Sequence, residues 1–578
     1  MKISDYIAEF LVQKGVNKVF GYIGGNNAHI MDSIDCCFGI EMVNGVHEQG
    51  SGFAAEGYAR ATNKLGVATA TSGPGATNLV TPIGSCFMDS IPTLFITGQV
   101  NRYEYKYDEP VRQIGFQEMD IVSIIKPITK YAVFLDKIEN VRYEFEKACY
   151  IAEEGRKGPV LIDIPIDLQY QQFEPDVMKS FYGSSEHLAF EKAQYTISDT
   201  ILDEVATDIN SSKRPLLLVG GGSRLSGVDV ELLTFLNKTD MPVVVSLMGK
   251  DMVSSTYKYN LGFIGAYGID YANQILKEAD LVIILGARLD ARQTTRDVEG
   301  FIGDAKVIHV DIDKYELNRR ISADLAINAD VYEFISKLNT KKLELNIKLW
   351  KEKVLEYKSK ISIKNAPIES KIDNQIINMI ASYLDDDDII CVDVGLHQMT
   401  VAQSLDLKGN QRVLFSGGAG SMGFALPIAI GATLGTGRRV IVISGDGGFQ
   451  MNMQELEVIK RRNLPIKIFI INNASLHMVK LRQDTYLESN HVGSKKDYSV
   501  PSFKKVGEAY GINSHEANSI KDIYAIIEKS LSTDEAELID IQISGEMTTV
   551  EPRLDFNRSF EDMRPYLERD ELKKQMLT

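Results

Sequence analysis

Short apolar runs that stop at glycine-rich turns recur along the whole chain: KVFGYIGG, VATATSGPGATN, RPLLLVGGG, RVLFSGGAGSMG and VIVISGDGGF. A strand buried on both faces reads as such a run. A glycine turn at its end lets backbone N–H groups come close to a phosphate-bearing ligand. Helix-length stretches separate the runs, so the expected fold is α/β with mostly parallel sheets. At 578 residues the chain is too long for one such unit. Three lobes of roughly 150 to 200 residues are the natural division.

The first lobe, residues 1–180, begins with MKISDYIAEFLVQKGV, whose interrupted apolar positions predict an amphipathic helix rather than a secretory segment. Strand and helix signals then alternate through GFAAEGYARAT, TLFITGQ and PVLIDIP, and Pro175 with FYGSSEH marks the exit. The second lobe, 190–340, carries four apolar segments, RPLLLVGGG, MPVVVSLMG, DLVIILGARLDAR and AKVIHVDID. Residues 341–368 are lysine-rich and hold the only Trp, Trp350; they read as a linker with an amphipathic helix on which Trp350 packs one face. The third lobe, 369–550, repeats the rhythm of the first, and a charged tail, 551–578, follows.

Composition removes several functions. Lys plus Arg total 63 against 79 Asp plus Glu, a net charge of -16, which argues against broad binding to nucleic acid or anionic membranes. No apolar run reaches the length of a membrane-spanning helix. The five cysteines show no CxxC spacing, so neither a disulfide framework nor a zinc site is expected, and a reducing cytoplasm fits.

The most informative segment is Gly445-Asp446-Gly447 at the end of one apolar run, followed by Asn472-Asn473 at the end of another. A hard divalent cation such as Mg2+ takes oxygen ligands. The Asp446 carboxylate, the Asn473 amide oxygen and a backbone oxygen from the loop end at Ser475 supply them, against a diphosphate for which Gly445 and Gly447 leave room.

GDGGFQMNMQEL followed by LPIKIFIINN resembles the thiamine diphosphate-binding motif. With HEQGSGFAAEGYARAT, TATSGPGATN, IGFQEMD, RKGPVLIDIP, GARLDAR, HVDID, GLHQM and GAGSMGFALP, the chain resembles the thiamine diphosphate-dependent decarboxylases and carboligases, and specifically acetolactate synthase catalytic subunits, over nearly its whole length. The resemblance implies a three-lobed architecture, with Glu48 in a pyrimidine-binding lobe and the metal motif in a diphosphate-binding lobe. The cofactor then crosses between lobes at a dimer interface. A hydrogen bond from Glu48 to the aminopyrimidine favours the imino tautomer, whose nitrogen removes the thiazolium proton. Met422 matches the position that supports the bent cofactor. Gly25, Gly73, Pro74, His397, Gln398, Gly420 and Met478 are implied cofactor contacts, Gln117 a polar substrate contact and Phe116 a packing residue. His47 reads as structural. The implied reaction releases carbon dioxide from pyruvate and joins the two-carbon unit to a second 2-oxo acid.

The resemblance further implies FAD in the central lobe, at Gly220, Gly221, Gly222, Gly268, Arg288, Arg292 and Asp311, together with a homodimer or homotetramer and a small regulatory subunit. It weakens around the acceptor. Arg482, in HMVKLRQD, stands where the family usually carries a Trp. Asn26, Asn27 and His29 replace smaller or apolar residues, Leu396 replaces a Gln, Ala291 replaces an Asp, and NRYEYKYDEPVRQIGFQE is longer and more polar than its family counterpart. A nucleotide-linked keto-deoxysugar as acceptor, and a pyruvate oxidase-like reaction, therefore stay open as alternatives.

Overall fold

Parallel strands cannot be joined by tight hairpins and need crossovers of a dozen or more residues, which the helix-length spacers provide. A computed structural model describes residues 1–191, 197–294, 298–360 and 372–543. The tail 551–578 and the end of the linker, 361–368, lie outside the described residues. Among the described residues the chain builds three six-stranded sheets, paired in parallel throughout.

The N-terminal sheet contains β1 (Lys18–Gly21), β2 (Glu41–Asn44), β3 (Gly66–Ala70), β4 (Thr93–Gln99), β5 (Tyr131–Phe134) and β6 (Pro159–Pro165), in the order β2-β1-β3-β4-β6-β5. The middle sheet contains β7 (Pro215–Val219), β8 (Val243–Val245), β9 (Asn260–Phe263), β10 (Leu281–Leu285), β11 (Lys306–Asp311) and β12 (Leu325–Asn328), in the order β12-β11-β10-β7-β8-β9. The C-terminal sheet contains β13 (Ile389–Val392), β14 (Arg412–Phe415), β15 (Val440–Gly445), β16 (Ile466–Asn472), β17 (Asn513–Ala517) and β18 (Glu537–Gln542), in the order β14-β13-β15-β16-β18-β17. The first and last sheets share one strand order, so their similar sequence rhythm reflects one topology. The middle sheet instead reverses direction between β7 and β10, which is the dinucleotide-binding order.

The middle sheet has two strands beyond the four apolar segments, β9 and β12. Neither reads as an apolar run: β12 (LAIN) has one fully buried residue, and β9 (NLGF) carries Gly262 at φ +84° beside an irregular pairing with β8. The linker helix Lys348–Lys360 packs on this lobe. Trp350 is buried with Val354 and donates its indole N–H to the Pro215 carbonyl at 3.0 Å.

Two helices bring the outer lobes together. Helix Glu48–Thr62 follows β2 and helix Ala425–Thr436 follows β14. A Cβ on Gly57 would stand 2.2 Å from the Ile428 carbonyl oxygen, and one on Gly431 would stand 1.8 Å from that of Ala54. Only glycine permits this approach. Phe53 and Phe424 meet edge to face at 5.7 Å where the contact begins. No helix among the described residues is long and apolar enough to cross a membrane.

Candidate active site

In a parallel sheet the loops leaving the carboxyl ends of adjacent strands share one edge, and ligands bind there. In the N-terminal sheet, the neighbours β2, β1, β3 and β4 deliver Glu48, Gly25, Gly73 and Gln117 to that edge. Glu48 is the first residue of its helix, where the dipole favours a carboxylate, and is only 8% exposed. Its carboxylate accepts a hydrogen bond from Asn78 Nδ2 at 3.0 Å, and a Cβ on Gly75 would lie 3.2 Å from its Oε1. His47 caps the same helix, its Nδ1 accepting the Gln49 N–H at 3.1 Å, which is a structural role.

Gly73 has φ +61°, and Pro74 opens the short helix after it. A Cβ on Gly73 would stand 2.8 Å from the Gln117 carbonyl oxygen, so these two residues are in contact. Gly25 faces open space. The polar loop around it is nonetheless fixed: Asn26 donates from Nδ2 to Ser72 Oγ at 2.6 Å and from its backbone to Thr71 Oγ1 at 3.2 Å. Phe116 is 85% exposed, so a packing role for it requires a surface from outside this chain.

The C-terminal sheet repeats the arrangement with different chemistry. Its neighbours β14, β13, β15 and β16 deliver the loop with Gly420 and Met422, then His397, Asp446 and Asn473. Asp446 opens helix Asp446–Asn452 and is 2% exposed. Its Oδ2 accepts the N–H groups of Asn473 (3.2 Å) and Ser475 (3.3 Å), and Tyr498 donates its hydroxyl to Oδ1 at 2.8 Å. Burial pushes the carboxyl's pKa up against these hydrogen bonds. The two asparagines diverge. Asn472 is buried and donates to Asp540 Oδ1 at 2.9 Å, a contact inside the sheet. Asn473 turns its Oδ1 to the loop, where it accepts the Ser475 N–H at 3.2 Å and hydroxyl at 3.0 Å.

His397 is buried with its ring tied to the Asp393 backbone, and burial holds its pKa down to about 4, so the imidazole is neutral. Its Nε2 has no partner among the described residues, and a Cβ on Gly445 would lie 3.0 Å from the ring. Gln398 donates to the Ser416 carbonyl at 3.1 Å and leaves its Oε1 unpartnered among the described residues. Gly420 has φ +63°, and the Met422 Cε lies 3.4 Å from where a Cβ on Gly447 would be. Asp393 fixes that loop by accepting the N–H groups of Gly423 (3.0 Å) and Ala425 (3.1 Å).

Asp393, Tyr498 and Asn78 are contributions that motif reading missed. Asp393, in DVGLHQM, was visible as an acid at a strand end. Tyr498 gave no signal, because it reaches Asp446 from 52 residues away.

Among the described residues no cluster of three His, Cys, Asp or Glu side chains could hold a metal. The oxygen donors at Asp446, Asn473 and Ser475 suit Mg2+, which binds through one or two carboxylates plus phosphate oxygens. A Cβ on Gly445 would crowd the His397 ring and one on Gly447 would meet Leu476, so the bare backbone at these turns leaves room for a diphosphate.

A cavity of about 370 Å³ lies where the three lobes meet. Gly221, Gly222, Arg288, Arg292 and Asp311 line it, with Asp89 and Arg156 from the N-terminal lobe. Burial pushes the Asp311 carboxyl up to about 6. Gly220 and Gly222 also pack on the turn after β10: a Cβ on Gly220 would stand 2.1 Å from the Gly286 carbonyl oxygen. Gly268 belongs to a tight turn instead, its N–H bonded to the Gly265 carbonyl at 2.7 Å. Arg292 extends over the Tyr267 ring at 5.3 Å and reaches the sulfurs of Met399 (3.4 Å) and Met478 (3.9 Å). Met478 and the exposed Arg482 share helix His477–Tyr486, one turn apart.

Comparison with known proteins accords with this geometry. Three thiamine pyrophosphate enzyme family models match the chain: the N-terminal TPP binding domain at residues 1–124, the central domain at 202–338 and the C-terminal TPP binding domain at 393–541. The acetolactate synthase large subunit of Lactococcus lactis is 37% identical over 549 residues, covering 94% of this chain and 92% of that protein. Acetolactate synthase 1 of Nicotiana tabacum is 35% identical, covering 97% and 84%. The isozyme 1 large subunit of Escherichia coli is 35% identical, covering 94% of each. The chain belongs to the thiamine diphosphate-dependent enzymes, in the family of acetolactate synthase catalytic subunits.

Proposed function

We propose that this enzyme decarboxylates pyruvate and joins the two-carbon unit to a second carbonyl compound, a 2-oxo acid in the family's reaction. The observation that carries the reading is the Asp446–Asn473–Ser475 constellation at the adjoining ends of β15 and β16, beside the neutral His397. Asp446, Asn473 and the Ser475 backbone would hold Mg2+, and His397 and Gln398 would face the diphosphate. Thiamine diphosphate, when bound, supplies the electron sink that makes loss of carbon dioxide possible. The Glu48 carboxyl would meet the pyrimidine, and Asn78 orients that carboxyl. Gln117 binds polar substrate atoms, and Met422 supports the cofactor from beside Gly447.

The lobes 1–180, 190–340 and 369–550 take the pyrimidine, nucleotide and diphosphate roles in this proposal. FAD is assigned to the middle-lobe cavity because its glycine turns flank the reversal of strand order, with arginines at hand for phosphates. A homodimer or homotetramer is assigned because the exposed Phe116 adjoins Gln117 at the site edge.

Purified protein with thiamine diphosphate, Mg2+ and pyruvate should release carbon dioxide and form an acetohydroxy acid. Absence of carbon dioxide release would overturn the proposal. Oxygen uptake in step with pyruvate loss would point to an oxidase instead. A protein that neither carries nor takes up flavin would remove FAD, and an active monomer in light scattering would remove the shared site.

A further inference from the structure

Gln117 stands on a segment that contributes little of its own to holding it. Residues 107–114 are all exposed, and Phe116 is 85% exposed. Gln117 has φ +65°, a left-handed backbone that costs a non-glycine residue free energy and persists only where the surroundings fix it. Glu118 is what does not fit an exposed loop. It is only 5% exposed, and its carboxylate gathers three backbone donors. Oε1 accepts the Lys106 N–H at 2.7 Å, and Oε2 accepts those of Ile114 at 2.7 Å and Gly115 at 3.3 Å.

These bonds close the exposed stretch on itself, because its two ends, Lys106 and Ile114, meet one carboxylate directly after Gln117. The Glu118 N–H donates to the Gly115 carbonyl at 3.1 Å and completes the turn. On the far side Gln99 donates from Nε2 to the Met119 carbonyl at 2.8 Å and to Asp163 at 2.9 Å, which fastens the chain to the end of β4. Gln117 is therefore held between two buried anchors, with its carbonyl against Gly73. Hydrogen bonds to a carboxylate are roughly twice as strong as neutral ones. An amide in its place would turn its NH2 towards one set of these backbone donors and leave them unpaired.

We propose that Glu118 is a positioning residue for the reaction: its carboxylate folds residues 106–115 into a clasp that fixes the Gln117 backbone, so that the Gln117 side chain meets the substrate. This rests on the pyruvate reading above, in which Gln117 binds polar substrate atoms. Glu118 itself acts only through that neighbour. Glu48 leaves a different strand, β2, and takes its orientation from Asn78. Its chemistry does not depend on the clasp.

The test is a double-mutant cycle on the holoenzyme with thiamine diphosphate, Mg2+ and pyruvate. Glu118→Gln should lower kcat/KM for pyruvate about 30-fold, as expected for losing hydrogen bonds to a charged group. Exchange of the cofactor's C2 proton should stay at the wild-type rate, because it depends on Glu48. In a Gln117→Ala background the same Glu118→Gln change should cost less than about threefold, since the side chain being positioned is gone. Additive losses in the double variant would overturn the positioning role. So would wild-type kinetics in Glu118→Gln or in Gln117→Ala, or C2 exchange that falls together with kcat/KM, which marks a general loss of structure. Wild-type enzyme that releases no carbon dioxide from pyruvate would instead overturn the parent reading.

Discussion

Asp89, in the N-terminal lobe, accepts the backbone N–H of Gly418, in the C-terminal lobe, at 2.7 Å. Its other oxygen accepts the Gly417 N–H at 3.0 Å and pairs with Arg60 at 2.7 Å. Arg60 also donates to the Phe415 carbonyl at 2.8 Å and pairs with the buried Glu56 at 2.7 Å. Arg60 lies on the helix that begins with Glu48, so one helix carries Glu48 at its start and clamps the loop leading to Met422 near its end.

Asp89→Ala should destabilise the folded chain by about 3 to 5 kcal/mol, because it leaves the Arg60 charge buried without one of its partners. Urea denaturation measures this. A loss below about 1 kcal/mol would mean that the clamp contributes nothing beyond an exposed ion pair.

The two asparagines should separate by phenotype. Asn473→Ala should weaken Mg2+-dependent cofactor binding in a metal titration with little change in thermal midpoint. Asn472→Ala should lower the midpoint, since Asp540 loses its buried donor. Asp446→Ala should abolish tight Mg2+-dependent binding. Retained tight binding would remove Asp446 as a metal ligand.

Glu48→Gln should preserve folding and metal binding while slowing exchange of the cofactor's C2 proton at least about 100-fold, within the range for a positioned acid–base group. Exchange followed by NMR of the quenched holoenzyme reads this directly. Unchanged exchange would free Glu48 from the proposed role.

Asp163 ties acid–base behaviour to stability. It is buried between Thr97 and Gln99, which donate at 2.6 and 2.9 Å, and burial pushes its carboxyl up to about 7. The folded chain keeps a proton that the unfolded chain releases above about 4, so this residue's contribution to stability falls as pH rises from about 4 to about 7. Asp163→Asn should remove that slope, worth about 4 kcal/mol across the window. Thermal midpoints of both proteins at pH 5 and pH 8 should diverge, with the variant losing less; identical pH profiles would contradict the protonated state.

The parts of the molecule legible in the sequence were those dictated by nearest neighbours along the chain. Apolar runs ending in glycine marked most strands of the three sheets, because a strand buried on both faces must be apolar throughout. Asp446 and Asn473 were legible because each ends such a run. β12 was not, since it buries only one residue and loses the apolar signature, and β9 was not, since Asn260 and Gly262 interrupt its short buried run. Tyr498, Asp89 and Asn78 were also hidden, because each acts across a long stretch of intervening chain where no spacing rule applies. The glycines divide as well. Gly73 and Gly420 adopt backbone conformations that favour glycine, whereas Gly57, Gly220 and Gly431 are required by neighbouring backbone.

That second group has a consequence for how this enzyme can diverge. Where Gly57 and Gly431 let two helices touch main chain to main chain, the spacing between the lobes does not depend on any rotamer. Side chains elsewhere can drift without moving Glu48 relative to the loop that Arg60 and Asp89 hold. Helix His477–Tyr486, which carries the exposed Arg482, lies outside that contact and is free to change its side chains while the two lobes keep their spacing.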